Sequence, residues 1–204
     1  QLASLFRISL SRGKTIIRVE DEIKHAENYM NIQKIRYKNA FEVSFDIAPE
    51  ILSACTVKLV VQPILENAIY YGMEAMDGDG LIMVRGYREG SDIFLEVSDN
   101  GLGMPEEAAA RLLTEGERVR SRGSGVGLLN VHNRIRLRFG AQYGLQIESC
   151  PDEGMMVRIH IPYIPYTEET CRQLEEGKIP EQEGGRIEVS ATETDTYVEI
   201  SVTD

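Results

Sequence analysis

Five glycines fall in two short clusters, DNGLGM at 99–104 and GSGVGL at 123–128, with ERVRSR at 117–122 before the second. A glycine loop that opens a helix lets main-chain N–H groups approach phosphate oxygens, where a side chain would hold the anion away. Arg118, Arg120 and Arg122 would add cationic donors to such a site, although a run of this kind also fits a solvated charged surface. Neither cluster is G-x-x-x-x-G-K-[ST], and neither is G-x-G-x-x-G behind a first strand, so P-loop and Rossmann sites are excluded. Each cluster alone is compatible with a plain turn, as Asp-Asn-Gly often is. A third segment, QPILENAIYYG at 62–72, places Asn67 upstream of both.

The elements that must carry these residues follow from periodicity. Residues 19–38 have Ile23, Ala26, Met30 and Tyr37 at helical spacing among charges, which predicts an amphipathic helix. FEVSFDI (41–47) alternates as a half-buried strand. The run Val57, Val61, Ile64, Ala68, ended by Gly72, predicts a second helix with Pro63 costing it a bond in the middle. Segments 81–87 and 92–99 form a hairpin that delivers Asp99 to the first glycine cluster. Pro105, Glu106 and Glu107 start a short helix, and 113–124 reads as a mobile loop. The next helix, opened by Gly125 or Gly127, has the stripe Leu128, Val131, Ile135, Phe139 and stops at Gly140. YGLQIES and MMVRIHI supply two more strands. This order predicts an α+β fold, a two-layer sandwich of a mixed β-sheet with helices on one face, in preference to a doubly wound sheet.

Composition agrees with a globular domain: 204 residues, 42% apolar, with no run long enough to span a bilayer and no signal peptide. Cys55, Cys150 and Cys171 are too scattered for a disulfide framework or a zinc site, which fits a reducing cytoplasm. The net charge of −11 is concentrated in residues 167–204, with 11 acidic and 3 basic side chains, a net of −8. That acidic tail reads as a separate unit. No basic surplus exists for a nucleic-acid backbone, so nucleic acid is excluded as a partner.

The series ENA, DNGLGM, GSGVGL, in that order, resembles the N box and two glycine boxes of the GHKL ATP-binding fold, shared by sensor histidine kinases, type II topoisomerases, MutL proteins and a heat-shock chaperone. YMNIQKIRYKNAFEVSFDI, VVQPILENAIYYG and GVGLLNVHNRIRLRFG are similar to the LytS/YesM type of sensor histidine kinase, over roughly residues 7–162. The resemblance implies Mg-ATP as ligand. Asn67 would hold Mg²⁺ and serve catalysis, and Asp99 would accept the adenine amino group. Gly101 and Gly103 would let the chain pass under the base, and Gly123, Gly125 and Gly127 would lie against the phosphates. Tyr71 and Arg122 complete the implied binding set. Many histidine kinases carry lysine or arginine three residues after the Asn; here that residue is Tyr70, which shifts phosphate contact toward the loop arginines. Glu66 fits either solvent exposure or a catalytic role.

The same resemblance implies domain boundaries: 1–18 as the end of a dimerisation-helix stem, 19–166 as the catalytic domain, 167–204 as the tail. The γ-phosphoryl group would pass to a histidine on a dimerisation helix and then to a response-regulator aspartate. His25, His132 and His160 lack the Pro-His-Phe context of that acceptor and read as structural or solvated. The full protein would be a membrane-anchored homodimer with this part in the bacterial cytoplasm. Two other readings are a GHKL ATPase gating a conformational change and a non-catalytic docking module. Hydrolysing members carry a glutamate four residues before the N-box Asn, and here that residue is Pro63. Finally, residues 185–204 align without gaps on 80–99 at an offset of 105 (185 − 80), so the tail resembles the hairpin leading to the first glycine box, as any amphipathic hairpin also would.

Overall fold

The computed structural model describes residues 14–38, 40–73, 78–114, 124–180, 188–193 and 198–203. Strand β1 (Ile16–Arg18) leads directly into helix α1 (Val19–Arg36). Acids in the first turn of α1 and Lys34 and Arg36 in its last match the helix dipole. Its buried stripe is Val19, Ile23, Ala26 and Met30. Of the expected stem, residues 16–18 are therefore strand: β1 pairs antiparallel with β3 (Cys55–Val57). Residues 1–13 lie outside the described residues.

After β2 (Phe41–Ile47) the chain departs from the expected helix at Val57, which is instead the end of β3. Leu59 adopts φ +57, a left-handed conformation that no helix contains. The N–H groups of Leu59, Val60 and Val61 turn to the Glu22 carboxylate. Helix α2 (Gln62–Asn67) then starts, so Pro63 sits in its first turn, where a missing N–H costs nothing. A wider π-type turn, Ala68–Met73, follows, a geometry found mostly at functional positions.

Strands β4 (Gly80–Glu89) and β5 (Asp92–Asp99), helices α3 (Glu106–Arg111) and α4 (Ser124–Phe139), and strands β6 (Gly144–Cys150) and β7 (Gly154–Pro162) complete the body. The sheet runs β2-β4-β5-β7-β6, with β2 parallel to β4 and the other pairs antiparallel. Alternate residues Ile82 and Val84, Ile93, Leu95 and Val97, and Val157, Ile159 and Ile161 bury one face. They share a core with Ile23 and Met30 of α1, Ile64 and Leu65 of α2, and Leu128, Val131, Ile135 and Phe139 of α4. The other face carries polar pairs, such as Arg158 Nε to Glu96 at 2.8 Å, and the exposed Leu81 and Met83. This is the two-layer α+β sandwich with helices on one face.

The boundary expected at residue 167 is not a boundary of the core. Thr167 caps helix α5 (Glu168–Glu175) in a capping box with Thr170. The helix buries Cys171 and Leu174 in the same core. Glu175 accepts bonds from the N–H groups of Thr15 and Ile16, and Arg138 of α4 donates to the carbonyls of Leu174 and Glu175 at 3.1 and 3.0 Å. Farther on, β8 (Glu188–Glu193) and β9 (Val198–Thr203) form an antiparallel pair with Glu188 opposite Thr203. Subtracting 105 from each gives Met83 opposite Ser98, which is the register of β4 and β5.

Leu174→Ala should lower stability by about 2–5 kcal/mol, as for a fully buried leucine. Denaturant unfolding that shows a loss below about 1 kcal/mol would mean that α5 does not belong to the core.

Candidate functional site

Asp99 ends β5 directly opposite Met155, the second residue of β7. Its Oδ1 accepts the Gly101 N–H at 2.9 Å. Burial pushes the Asp99 carboxyl above its ordinary value, with the nearby main-chain N–H groups of Gly101 and Met155 opposing the shift. Asn67, at the C-terminal end of α2, is 8% exposed, and its Nδ2 donates to Met155 Sδ at 3.7 Å. Met155 thus joins the carboxylate at the end of the sheet to the amide at the end of the helix.

Two glycines make this approach possible. Gly154 has φ +91, and a Cβ there would stand 1.9 Å from the Asp99 carbonyl oxygen. Gly103 has φ +57, and its Cβ would stand 2.0 Å from the Cys150 carbonyl oxygen. Gly103 is therefore required by contact with the β6–β7 turn, whatever else lies above it. The loop 99–104 is clamped there. Asp152 N–H donates to the Leu102 carbonyl at 2.8 Å, Met104 N–H to Ser149 Oγ at 2.9 Å, and that hydroxyl to the Gly154 carbonyl at 2.9 Å. On the other side, Asn100 Oδ1 accepts from Leu81 N–H at 2.7 Å.

Gly125 and Gly127 fall in the first turn of α4. Among the described residues, a Cβ on Gly127 would meet only Pro63 Cβ within 4 Å, at 3.9 Å, so their packing does not demand this glycine. Tyr71 falls in the π-type turn, which touches β4, β5 and β7. Gly123, Arg118, Arg120 and Arg122, with the loop expected at 113–124, lie outside the described residues from 115 to 123. An open groove of about 590 Å³ runs between α2 and α4, lined by Pro63, Glu66, Gly127, Asn130 and Leu137 among others. Glu66 is exposed there and accepts from Gln62 Nε2 at 2.7 Å.

Sequence reasoning missed four residues that shape the site: Gly154, Met155, Glu22 and Arg134. Glu22 of α1 is fully buried and accepts the N–H groups of Leu59, Val60 and Val61 at 2.7, 2.8 and 2.9 Å. Burial pushes its carboxyl up, while those bonds and the Arg134 charge pull it back. The histidines are held within the fold. His160 pairs with Asp92 at 2.9 Å and stacks on Phe94, His132 Nδ1 accepts the Leu145 N–H at 3.0 Å, and His25 is buried, which pushes its pKa down. Among the described residues no group of three or more His, Cys, Asp or Glu could hold a metal ion. A cation beside Asn67 would take one amide oxygen from the protein and the rest from ligand and water, the mode that suits Mg²⁺.

The family described as histidine kinase-, DNA gyrase B- and HSP90-like ATPase matches residues 55–165, and the family described as histidine kinase matches residues 1–41. Sensor histidine kinase YesM of Bacillus subtilis is 33% identical over 161 residues, 79% of this chain and 26% of that protein. Sensor histidine kinase BtsS of Escherichia coli K12 is 31% identical, over 79% of this chain and 27% of its own length. Sensor protein LytS of Staphylococcus saprophyticus is 31% identical, over 83% and 28%. The chain thus spans about a quarter of the length of these curated relatives. The catalytic domain of histidine kinase ThkA superposes with TM-score 0.56 at 19% identity, covering 73% of this chain and 95% of that one, and shows the same fold. The mycobacterial sensor histidine kinase MprB gives 0.53 at 18%, covering 74% and 98%. No helix among the described residues is long and apolar enough to cross a membrane.

A carboxyl whose folded pKa is raised binds its proton more tightly folded than unfolded, so its contribution to stability is lost as pH rises through the folded value. Asp99→Asn should therefore gain stability relative to the unaltered chain as pH rises from the ordinary aspartate value of 3.8. A difference in unfolding midpoint that stays flat with pH would show that Asp99 is not held in a desolvated site.

Proposed function

Because the chain belongs to the histidine kinase-, DNA gyrase B- and HSP90-like ATPase family, we propose that it is the ATP-binding catalytic part of a sensor histidine kinase. The observation that carries this reading is the meeting of Asn67 and Asp99 at Met155, beside a helix whose first turn holds Gly125 and Gly127. Asp99 accepts the adenine amino group, and burial makes that bond selective for a donor. Gly101 keeps the Asp99 carboxylate aimed through its N–H. Gly123, Gly125 and Gly127 face the phosphates with bare main chain, aided by Arg122 and bordered by Tyr71. Asn67 would offer its amide oxygen to Mg²⁺, and the bound ion would supply positive charge beside the phosphates.

In this reading the acceptor is a histidine imidazole supplied from outside the described domain, and the phosphoryl group goes on to a response-regulator aspartate. An imidazole is its own nucleophile, so the domain needs no base to activate water. Pro63, four residues before Asn67 and in the first turn of α2, fits this: it has no group to take a proton. Dimerisation through a preceding helix, a membrane anchor and a cytoplasmic position for this part belong to the same proposal, with the match of residues 1–41 to the histidine kinase family in its support.

Calorimetry tests the site. Asn67→Ala should abolish the Mg²⁺ dependence of ATP binding and leave adenosine unaffected, whereas Asp99→Asn should weaken both ligands by about 1.5–3 kcal/mol. Unchanged Mg²⁺ dependence in Asn67→Ala would remove that residue from the metal site.

A second experiment separates kinase from ATPase. A positioned base is worth 10²–10⁴-fold, so hydrolysis without one should stay below about 1 per minute. Phosphotransfer should occur when a segment carrying the acceptor histidine is supplied. Steady hydrolysis near the usual enzyme scale of about 1 s⁻¹, lost in Asn67→Ala, would instead favour an ATPase that gates a conformational change.

A further inference from the structure

The fully buried Glu22 lies on α1, outside every motif that marks the nucleotide site, yet it controls where α2 begins. Helix α2 has six residues, and its N-cap, Val61, has no side chain with which to cap it. The N-cap N–H therefore needs an acceptor from elsewhere. Glu22 supplies it together with a partner for the loop before the cap: Oε1 takes the N–H groups of Val61 and Val60, and Oε2 takes that of Leu59. With Leu59 at φ +57, these successive N–H groups converge as an anion-binding nest filled by a protein carboxylate.

Arg134 of α4 grips the carbonyl side of the same loop, donating to Lys58 O at 2.5 Å and Leu59 O at 3.3 Å. Arg134 is two turns along α4 from Gly127, and Asn67 is six residues along α2 from Val61, a rise of about 9 Å. The loop 58–61 therefore sets the register of both helices that wall the site, and a charge of each sign holds it from opposite sides. The two walls touch where Gly127 faces Pro63.

We propose that Glu22 is a positioning residue for phosphate and metal binding: by holding the three N–H groups of the loop and cap that lead into α2, it sets where Asn67 presents its amide, with Arg134 locking the same loop from α4. This rests on the reading of Asn67 given above. The adenine half of the site is set separately, by the pairing of β5 with β7 at Asp99 and Met155. Losing the clamp therefore affects one half and spares the other.

The test uses the full chain and calorimetry with Mg-ATP and with adenosine. Glu22→Gln keeps the size of the side chain but turns an amide toward three donors. It should weaken Mg-ATP at least tenfold while adenosine stays within about twofold. Glu22→Asp should recover part of the loss. In the double variant with Asn67→Ala the two losses should not add, because both act through the same amide. A folded Glu22→Gln chain that binds Mg-ATP normally, loses adenosine equally, or shows additive losses overturns the proposal. Should Glu22→Gln fail to fold, Arg134→Met carries the same expectations, and failure of both to fold marks the clamp as purely structural and overturns it. If the unaltered chain binds Mg-ATP no more tightly than adenosine, the reading of Asn67 falls, and the positioning role with it. If instead Asn67→Ala removes the Mg²⁺ dependence and Glu22→Gln does not weaken Mg-ATP, only the positioning role falls.

Discussion

The pairing of Asp99 with Met155 at the ends of β5 and β7 is the contact on which the site depends. It fixes a carboxylate at the rim of the sheet and brings beside it the methionine that Asn67 touches. It also sets the departure of the glycine loop, whose first glycine N–H, from Gly101, returns to Asp99. The approach is so close that a single Cβ at Gly154 would collide with the Asp99 carbonyl. A carboxylate drawn out of bulk water is costly unless its oxygens are satisfied, and the Gly101 N–H bonds one oxygen of the half-buried Asp99. The result is an acceptor with fixed direction, suited to a donor on a flat ring.

The two halves of the site are held by different means. Residues 99–104 are tied to β4 and to the β6–β7 turn by hydrogen bonds that exist before any ligand arrives, so little ordering is required there on binding. The walls that would meet phosphate are helices, α2 and α4, and their placement rests on the loop between β3 and α2.

Much of this was legible in the sequence where the chemistry is local. Asn67, Asp99 and the glycine clusters occur in order on elements whose periodicities are plain, and the resemblance they carry led to the observed fold and family. The start of α2 was misread because Val57, Val61 and Ile64 fit a helical stripe, and only the tertiary bond to Glu22 and the left-handed Leu59 interrupt it. Glu22 itself sits beside Glu20 and Asp21 in a first turn and looks like any solvated acid until the loop that covers it is placed. Helix α5 was hidden by composition. Acidic residues masked Cys171 and Leu174, three apart, and a Thr-x-x-Thr cap that was a usable signal. Gly154, next to Met155 and Met156, reads as an ordinary hairpin glycine, and its closeness to Asp99 depends on strand pairing across 55 residues (154 − 99).

The central claim, that metal and phosphates sit where α2 and α4 meet the sheet end at Asp99, is tested most directly by paramagnetic relaxation on the isotope-labelled chain with Mn²⁺-ATP in place of Mg²⁺-ATP. The Asn67 side-chain amide and the Gly127 main-chain amide should be the most strongly broadened signals among the described residues, with Met83 and Ser44 on the open sheet face broadened less. Broadening centred on that open face, or equal effects on both sides of the sheet, would contradict it.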